Sequence, residues 1–596
     1  VRMAQKIWSM STTVRNPYRL KDFLKVLSQL DGEIWNHENQ IRFQIMLIQE
    51  RLYIPEDNGL NEKQTALLQS SRPMSYEEAK EIFEAKRYVD PAMRGRTSFK
   101  PLEKAGLAFI FEQRIIITEL GKELLSGRME IDDFCFKSLV KWQYPNPLSS
   151  DFSEKDGYNV KPFIAVLRLI GKVNELCRLR GLKEKGISKR EFGIFALSLT
   201  NYRDIDTQAE QLLDFRCKLE ALPTKQEQNH FADTFQSSYL KGFKNATKGN
   251  VRDYADNAIR YFRLTKFVYI RGGGFYVDLE PRRRVELENL LKQEDGSAQE
   301  FPSAAMYLEH MMTLSAYTLP WENLEKMGEI ARNIFGDIQF LQKQLHLESV
   351  TDMRFSDNLL ELKKQIGELR LLRMELQFQV EKNNLQEREK IQEVIEKLQN
   401  IRKLPEPSSI ALEKYVYKAL NILNDAVLIK TNAPQGDDNE PTFTAPAGVP
   451  DMECEYENFV GICEVTMLNR RDQWFNEGQP VQRHLRDYEL RHPGKPAYCL
   501  FVAPSIHRDT ANTFWTAVKY EYEGKKQRII PLSIGQLAEM LQLVVQLKEF
   551  GRVFRHGFLQ VLYDKILETQ KFSGSNEWIS EIKTILKEWK VDILTA

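Results

Sequence analysis

Residues 450–466, PDMECEYENFVGICEVT, constrain the chain more than any other stretch. The pattern on either side of Glu457-Asn458 has the spacing of two short strands joined by a two-residue turn. Successive strand side chains point to opposite faces, so this register sets Asp451 directly across from Glu464, on one face. Like charges placed opposite each other destabilise a strand pair. The residues alone leave two readings: an acidic surface hairpin whose carboxylates stay in water, or two carboxylates beside the apolar Val460 and Ile462 that a divalent cation neutralises.

A chain of 596 residues is too long for one hydrophobic core, which sets the expectation of three or four domains. No apolar run reaches the length of a bilayer span, and the opening VRMAQKIWSMSTTVRNP carries no signal core, so a cytoplasmic protein without membrane attachment is expected. The cysteines, Cys135, Cys177, Cys217, Cys454, Cys463 and Cys499, form no CxxC pair, which argues against a structural zinc site and a disulfide framework. Lys and Arg, 84 in all, balance 84 Asp and Glu. A nucleic-acid partner would therefore meet a local basic surface rather than a basic protein.

Upstream of the hairpin several segments suit such a partner. Trp8, Ser11, Thr12, Thr13 and Arg15 could touch a phosphate backbone, or belong to an arm that caps its own domain. Ser75 with Glu78 three residues on signals a capping box. Residues 75–127 then read as helix, helix, hairpin and a further helix from about Glu119, with Arg94, Arg96 and Lys100 on the second helix. That order resembles a winged helix-turn-helix module. Residues 157–190 crowd lysine and arginine against only Glu175 and Glu184, as a solvated helix face or a DNA-facing one. Residues 251–291 read as a second module, a helix with Ala255, Ala258, Ile259 and Phe262 inward, then strands on either side of Gly272-Gly273-Gly274. Arg252, Asn257, Arg260 and Arg263 on its helix are of the types that reach base edges or phosphates; ion pairs with Asp253 and Asp256 are the alternative. Residues 320–403 read as a helical spacer or short coiled-coil hairpin.

After Pro405-Glu406-Pro407 the pattern becomes an N-capped helix bearing Glu413, a loop, the hairpin, then strand, helix, strand and helix. This is an α/β domain on a mixed sheet.

An Asp opening one strand and Glu-x-x on the next, behind a helix with an inward acid, is the layout of the PD-(D/E)xK nucleases, with Thr466 where lysine is usual. Longer phrases, WSMSTTVRNP, KSLVKWQYP, NAIRYFRLT, PDMECEYENFVGICEVT, GQPVQRH, YCLFVAP and RIIPLSI, follow one another along nearly the whole chain. On these the chain resembles the AlwI family of type IIS restriction and nicking endonucleases, which includes BstNBI. The resemblance implies a multidomain α+β fold: a mostly helical recognition half with winged-helix-like subdomains at 1–150 and 151–300, a helical linker at 301–403, and a C-terminal α/β PD-(D/E)xK cleavage domain with a mixed sheet at 404–596. It implies binding to a short asymmetric site in double-stranded DNA and hydrolysis a few nucleotides outside it with Mg²⁺, on both strands or one. Family acids match Glu413, Asp451, Glu464 and Glu477, and the layout places Mg²⁺ on Asp451, Glu464 and the carbonyl of Val465. Glu477, His484, Arg470 and Arg471 are candidates for the work of the absent lysine. A transient homodimer or a separate small catalytic subunit is implied as a partner in cleavage. For base reading the expected residues are Arg94, Arg96, Asn257, Arg260 and Arg263. Two other readings stand beside this one: a DNA-binding regulator with a degenerate nuclease domain, favoured by Thr466, and a structure-specific nuclease of repair or transposition.

Overall fold

The computed structural model describes all residues except 1–4, 11–13, 15, 57, 70–72, 149–151, 272–275, 315–316, 349–352, 405–406, 424–427, 443, 447 and 596. The chain is multidomain and α+β, and its contacts divide it into two compact units. The first comprises Val1–Thr65, Pro73–Ile334 and Arg354–Gly367; the second comprises Ala66–Arg72, Phe335–Met353 and Glu368–Ala596.

In the first unit the expected order at 75–127 forms. Ser75 and Glu78 cap the helix Tyr76–Ala85 reciprocally, as their spacing predicts. Asp90 caps the helix Pro91–Lys104, and Pro91 stands in its first turn, where no amide hydrogen is missed. Strands β1 (Ala108–Phe111) and β2 (Arg114–Ile117) pair antiparallel around Glu112 and Gln113, both at positive φ, the hand that tight hairpin turns require. Thr118 then caps the helix Glu119–Ser126.

The helix and strand pair expected at 251–291 also form, with an addition. After the helix Lys248–Leu264, strands β4 (Val268–Arg271) and β5 (Tyr276–Leu279) pair antiparallel, and β3 (Ile187–Ser188) joins β5 from far upstream. Gly186 permits that approach: its φ is +67°, and a Cβ there would lie 2.2 Å from the carbonyl oxygen of Val277. The triple-glycine turn lies outside the described residues.

Two open readings are narrowed here. Trp8 is not available to a phosphate: it is fully buried, its indole Nε1 donates to the carbonyl of Ala196 at 2.7 Å, and it packs against Trp142, Phe192 and Phe262. The reading of the arm as a cap on its own domain holds for that residue, while Ser11, Thr12, Thr13 and Arg15 lie outside the described residues. In the basic stretch many of the cations are occupied by acids. Lys161 pairs with Glu294, Lys172 with Glu175 and Asp206, Arg178 with Glu184, Arg180 with Asp214, and Lys185 with Glu220.

The second unit carries a five-stranded mixed sheet of order β10-β9-β8-β7-β6. Here β6 is Leu428–Thr431, β7 Met452–Glu455, β8 Val460–Val465, β9 Ala497–Ala503 and β10 Ile529–Ser533. The hairpin side is antiparallel and the β8, β9, β10 side parallel. The fully buried run of β9 is what a central parallel strand covered on both faces requires. Two elements depart from expectation. Strand β6 emerges from the stretch between the Glu413 helix and the loop, for which no strand is expected, and the span from Arg471 to Arg491 is one helix despite Gly478 and Pro480. The helix Ser408–Ile422 has Pro407 at its N-cap position with no side-chain cap, because Ser408 and Ser409 already lie in its first turn.

Candidate active site

The hairpin at 450–466 forms with the expected register. Met452 pairs with Cys463 and Glu455 with Val460, and Tyr456 N donates to Phe459 O at 3.0 Å across Glu457-Asn458. One more step of that register sets Asp451 across from Glu464. Strand β6 pins the entry to the hairpin, since Asn432 N donates to the carbonyl of Asp451 at 2.9 Å and Asn432 Nδ2 to that of Pro450 at 2.8 Å. Val465 N donates to Asp451 Oδ2 at 2.8 Å, which ties the carboxylate to the end of β8.

Two helices bring further acids to this pair. Glu413, on the helix Ser408–Ile422, is buried and accepts from Ala445 N at 3.1 Å. Glu477 and His484 lie seven residues apart, two turns along the helix Arg471–Arg491 and therefore on one face. His484 Nδ1 stands 2.7 Å from Glu464 Oε1, while its Nε2 is buried with no hydrogen-bond partner among the described residues. Gln473, fully buried, fixes the start of this helix: its Nε2 donates to the carbonyls of Leu468 and Ser505, and its Oε1 accepts from His507 N. Thr466 follows Glu464 by two residues. It is buried, its Oγ1 accepts from Leu468 N at 3.2 Å, and its hydroxyl is hydrogen-bonded to Glu477.

The electrostatics follow from this crowding. Burial raises the Glu464 carboxyl well above the usual range, and the charge of Glu477 adds to it. Asp451 is raised by burial, then by Glu464 and Glu477. Glu413 is pushed up to about 9 by burial, then by Asp451 and Glu464. Burial raises Glu477 too, against the opposing pull of Thr466 and His484. Burial, with the nearby charge of Arg483, lowers His484 to about 4. The imidazole is therefore neutral at pH 7, and a single proton lies between it and Glu464.

Among the described residues, no three His, Cys, Asp or Glu side chains stand together as a ready metal cage. The donors that suit a hard divalent cation are two carboxylates, Asp451 and Glu464, with the Val465 carbonyl next in chain, all of them oxygen. The crowding suits a cation as well, because a positive charge there relieves the repulsion that raises Glu413, Asp451 and Glu464.

The residues expected to read bases stand in the first unit. Arg94 lies over the ring of Tyr88 at 4.7 Å, and Arg96 pairs with Asp90 at 2.5 Å and bonds Gln40 at 2.9 Å. Arg260 pairs with Asp256 at 2.8 Å, and Arg263 is half-buried on the same helix. Asn257 is corrected: only 2% of it is exposed, so its amide cannot present itself to a base edge. It lies on the inward side with Ala258, where an inward-facing polar residue breaks the expected apolar pattern.

Arg483 escapes a reading of the sequence because Gly478 and Pro480 disguise the helix that carries it beside His484. A model of the AlwI restriction endonuclease family matches residues 104–540. The small subunit (R.BspD6I2) of the heterodimeric restriction endonuclease R.BspD6I aligns at 23% identity over 34% of this chain and 98% of its own, with a TM-score of 0.28. The BpuJ1 endonuclease binding domain, solved with pyrene- and phenanthrene-modified DNA, aligns at 10% identity over 52% and 96%, with a TM-score of 0.32. No curated protein matches the chain.

Proposed function

The chain belongs to the AlwI restriction endonuclease family, and from that premise we propose a type IIS, BstNBI-like enzyme that cuts DNA with Mg²⁺ at a PD-(D/E)xK-type centre. Membership makes it a DNA endonuclease; the class of site, the metal and the offset of the cut are the proposal. The observation that carries it is the pairing that sets Asp451 across from Glu464, with Glu413 and Glu477 close enough for charge to act among them, each raised by burial and three of them also by the charges of the others. Such a cluster is costly without a cation and a substrate to occupy it.

In this reading Asp451, Glu464 and the carbonyl of Val465 hold Mg²⁺. When bound, the metal supplies Lewis acidity, a water of lowered pKa and positive charge beside the developing phosphorane. The chain's own residues do the rest. The Val465 amide holds Asp451 Oδ2. His484 orients Glu464 through Oε1. Glu477, with its raised pKa and its tether to Thr466, is suited to take the proton that the attacking water releases. Two winged-helix-like subdomains, in 1–150 and 151–300, read a short asymmetric duplex site with Arg94, Arg96, Arg260 and Arg263. Residues 301–403 link them to a cleavage domain at 404–596. A transient homodimer or a small catalytic subunit serves cleavage of the second strand.

The test is cleavage of supercoiled plasmid in Mg²⁺ by the wild type, Asp451→Asn and Glu464→Gln, with specific duplex binding measured alongside. Loss of cutting with binding retained is expected, and run-off sequencing of both strands then gives the site, the offset and the number of strands cut. Undiminished cutting by either variant removes this centre from the reaction.

A further inference from the structure

A phosphodiester brought to this centre adds one more negative charge beside four carboxyl groups. Thr466 offers no positive charge, and its hydroxyl is already engaged by Leu468 N and Glu477. His484 has Nδ1 committed to Glu464 at 2.7 Å. Arg470 and Arg471 are exposed at the start of the helix, and Arg471 rests over the ring of Phe475 at 5.1 Å.

Arg483 differs from all of these. It is half-buried, one residue before His484, on the helix that also carries Glu477. Among the described residues it forms no hydrogen bond or ion pair, not even with Asp487 one turn on. It is nevertheless near enough for its charge to act on both Glu464 and His484. A half-buried guanidinium without a carboxylate partner is disposed to take an anion in its planar fork.

We propose that Arg483 is the cation that meets the scissile phosphodiester, doing the charge-balancing work of the absent motif lysine. The inference rests on the Asp451 and Glu464 centre proposed above. Arg483 donates hydrogen bonds to non-bridging phosphate oxygens, where negative charge grows in the transition state; no bond to it forms or breaks.

The test uses the full chain on a plasmid carrying its mapped site, comparing the wild type, Arg483→Gln, Arg483→Lys and Glu464→Gln. Glutamine keeps a polar, helix-favouring side chain without the charge. Loss of one preorganised donor to a developing charge lowers the rate by about 10²-fold. Arg483→Gln is expected to lose about that factor in single-turnover rate, with duplex affinity within about 3-fold of wild type. Arg483→Lys should recover about 10-fold, since the charge returns without the fork. Methylguanidinium in solution should speed Arg483→Gln and leave the wild type unchanged. A rate within about 3-fold of wild type overturns the proposal, as does a loss that neither lysine nor methylguanidinium relieves. Should Glu464→Gln cut as the wild type does, it is the underlying centre that fails.

Discussion

Glu413→Gln in metal-free protein isolates the cost of the carboxylate cluster. In the fold the Glu413 carboxyl is held at about 9, against 4.5 for an ordinary glutamate. Between those two values the folded protein keeps a proton that the unfolded chain has released, so stability is greatest below pH 4.5 and falls as pH rises through 9. Each pH unit in that window costs about 1.4 kcal/mol, so by pH 7 the loss is about 3 kcal/mol. Glutamine has nearly the same volume and its amide oxygen can accept the Ala445 amide, but it cannot ionise. In EDTA, the urea midpoint of the wild type should fall between pH 5 and pH 8, and that of the variant should fall less steeply, the raised Asp451, Glu464 and Glu477 still contributing. At pH 8 the variant should be the more stable protein, and added Mg²⁺ should then stabilise the wild type more than the variant. Parallel pH curves, or a variant less stable at pH 8, would refute the argument that repulsion and burial at this residue cost stability.

Three further outcomes are expected. Because His484 is lowered to about 4, it stays neutral from pH 5 upward, and the pH profile of cleavage should contain no inflection near 6.5 that His484→Asn removes. Trp8→Ala should cost about 3–5 kcal/mol in chemical denaturation, since it empties a buried site and orphans the Ala196 carbonyl, while Trp8→Phe should cost much less; unchanged stability with weakened DNA binding would restore Trp8 to a phosphate-contacting role. Arg96→Ala should cost about 1–3 kcal/mol of discrimination at one base pair in a binding-site selection, whereas uniformly weaker binding to every sequence would make Arg96 a phosphate contact.

Local rules make much of the architecture legible in the order of the amino acids. The capping box at Ser75, the helix, helix and hairpin order that follows it, and the apolar run of β9 each depend on neighbouring residues only. Strand β6 escapes because four residues give almost no periodicity; its identity comes from pairing with β7. The helix Arg471–Arg491 escapes because Gly478 and Pro480 punctuate it. Tertiary packing overrides them: Gln473 anchors its start, and Gly478 lets the chain lie against the Trp474 ring and Thr513. Asn257 is misplaced for a similar reason, since a polar side chain on an amphipathic helix is assigned to solvent unless its surroundings are known.

The sequence by itself determined that Asp451 faces Glu464, because a two-residue turn and a period of two leave no freedom in the register. It could not determine what surrounds that pair. Only the tertiary structure decided that Glu413 and Glu477 arrive from separate helices, that His484 turns Nδ1 to Glu464, and that Thr466 is bound to Glu477 while Arg483 stays unpaired among the described residues. Burial and mutual charge are properties of assembled neighbours. The same four acids on an open chain would titrate as ordinary carboxylates.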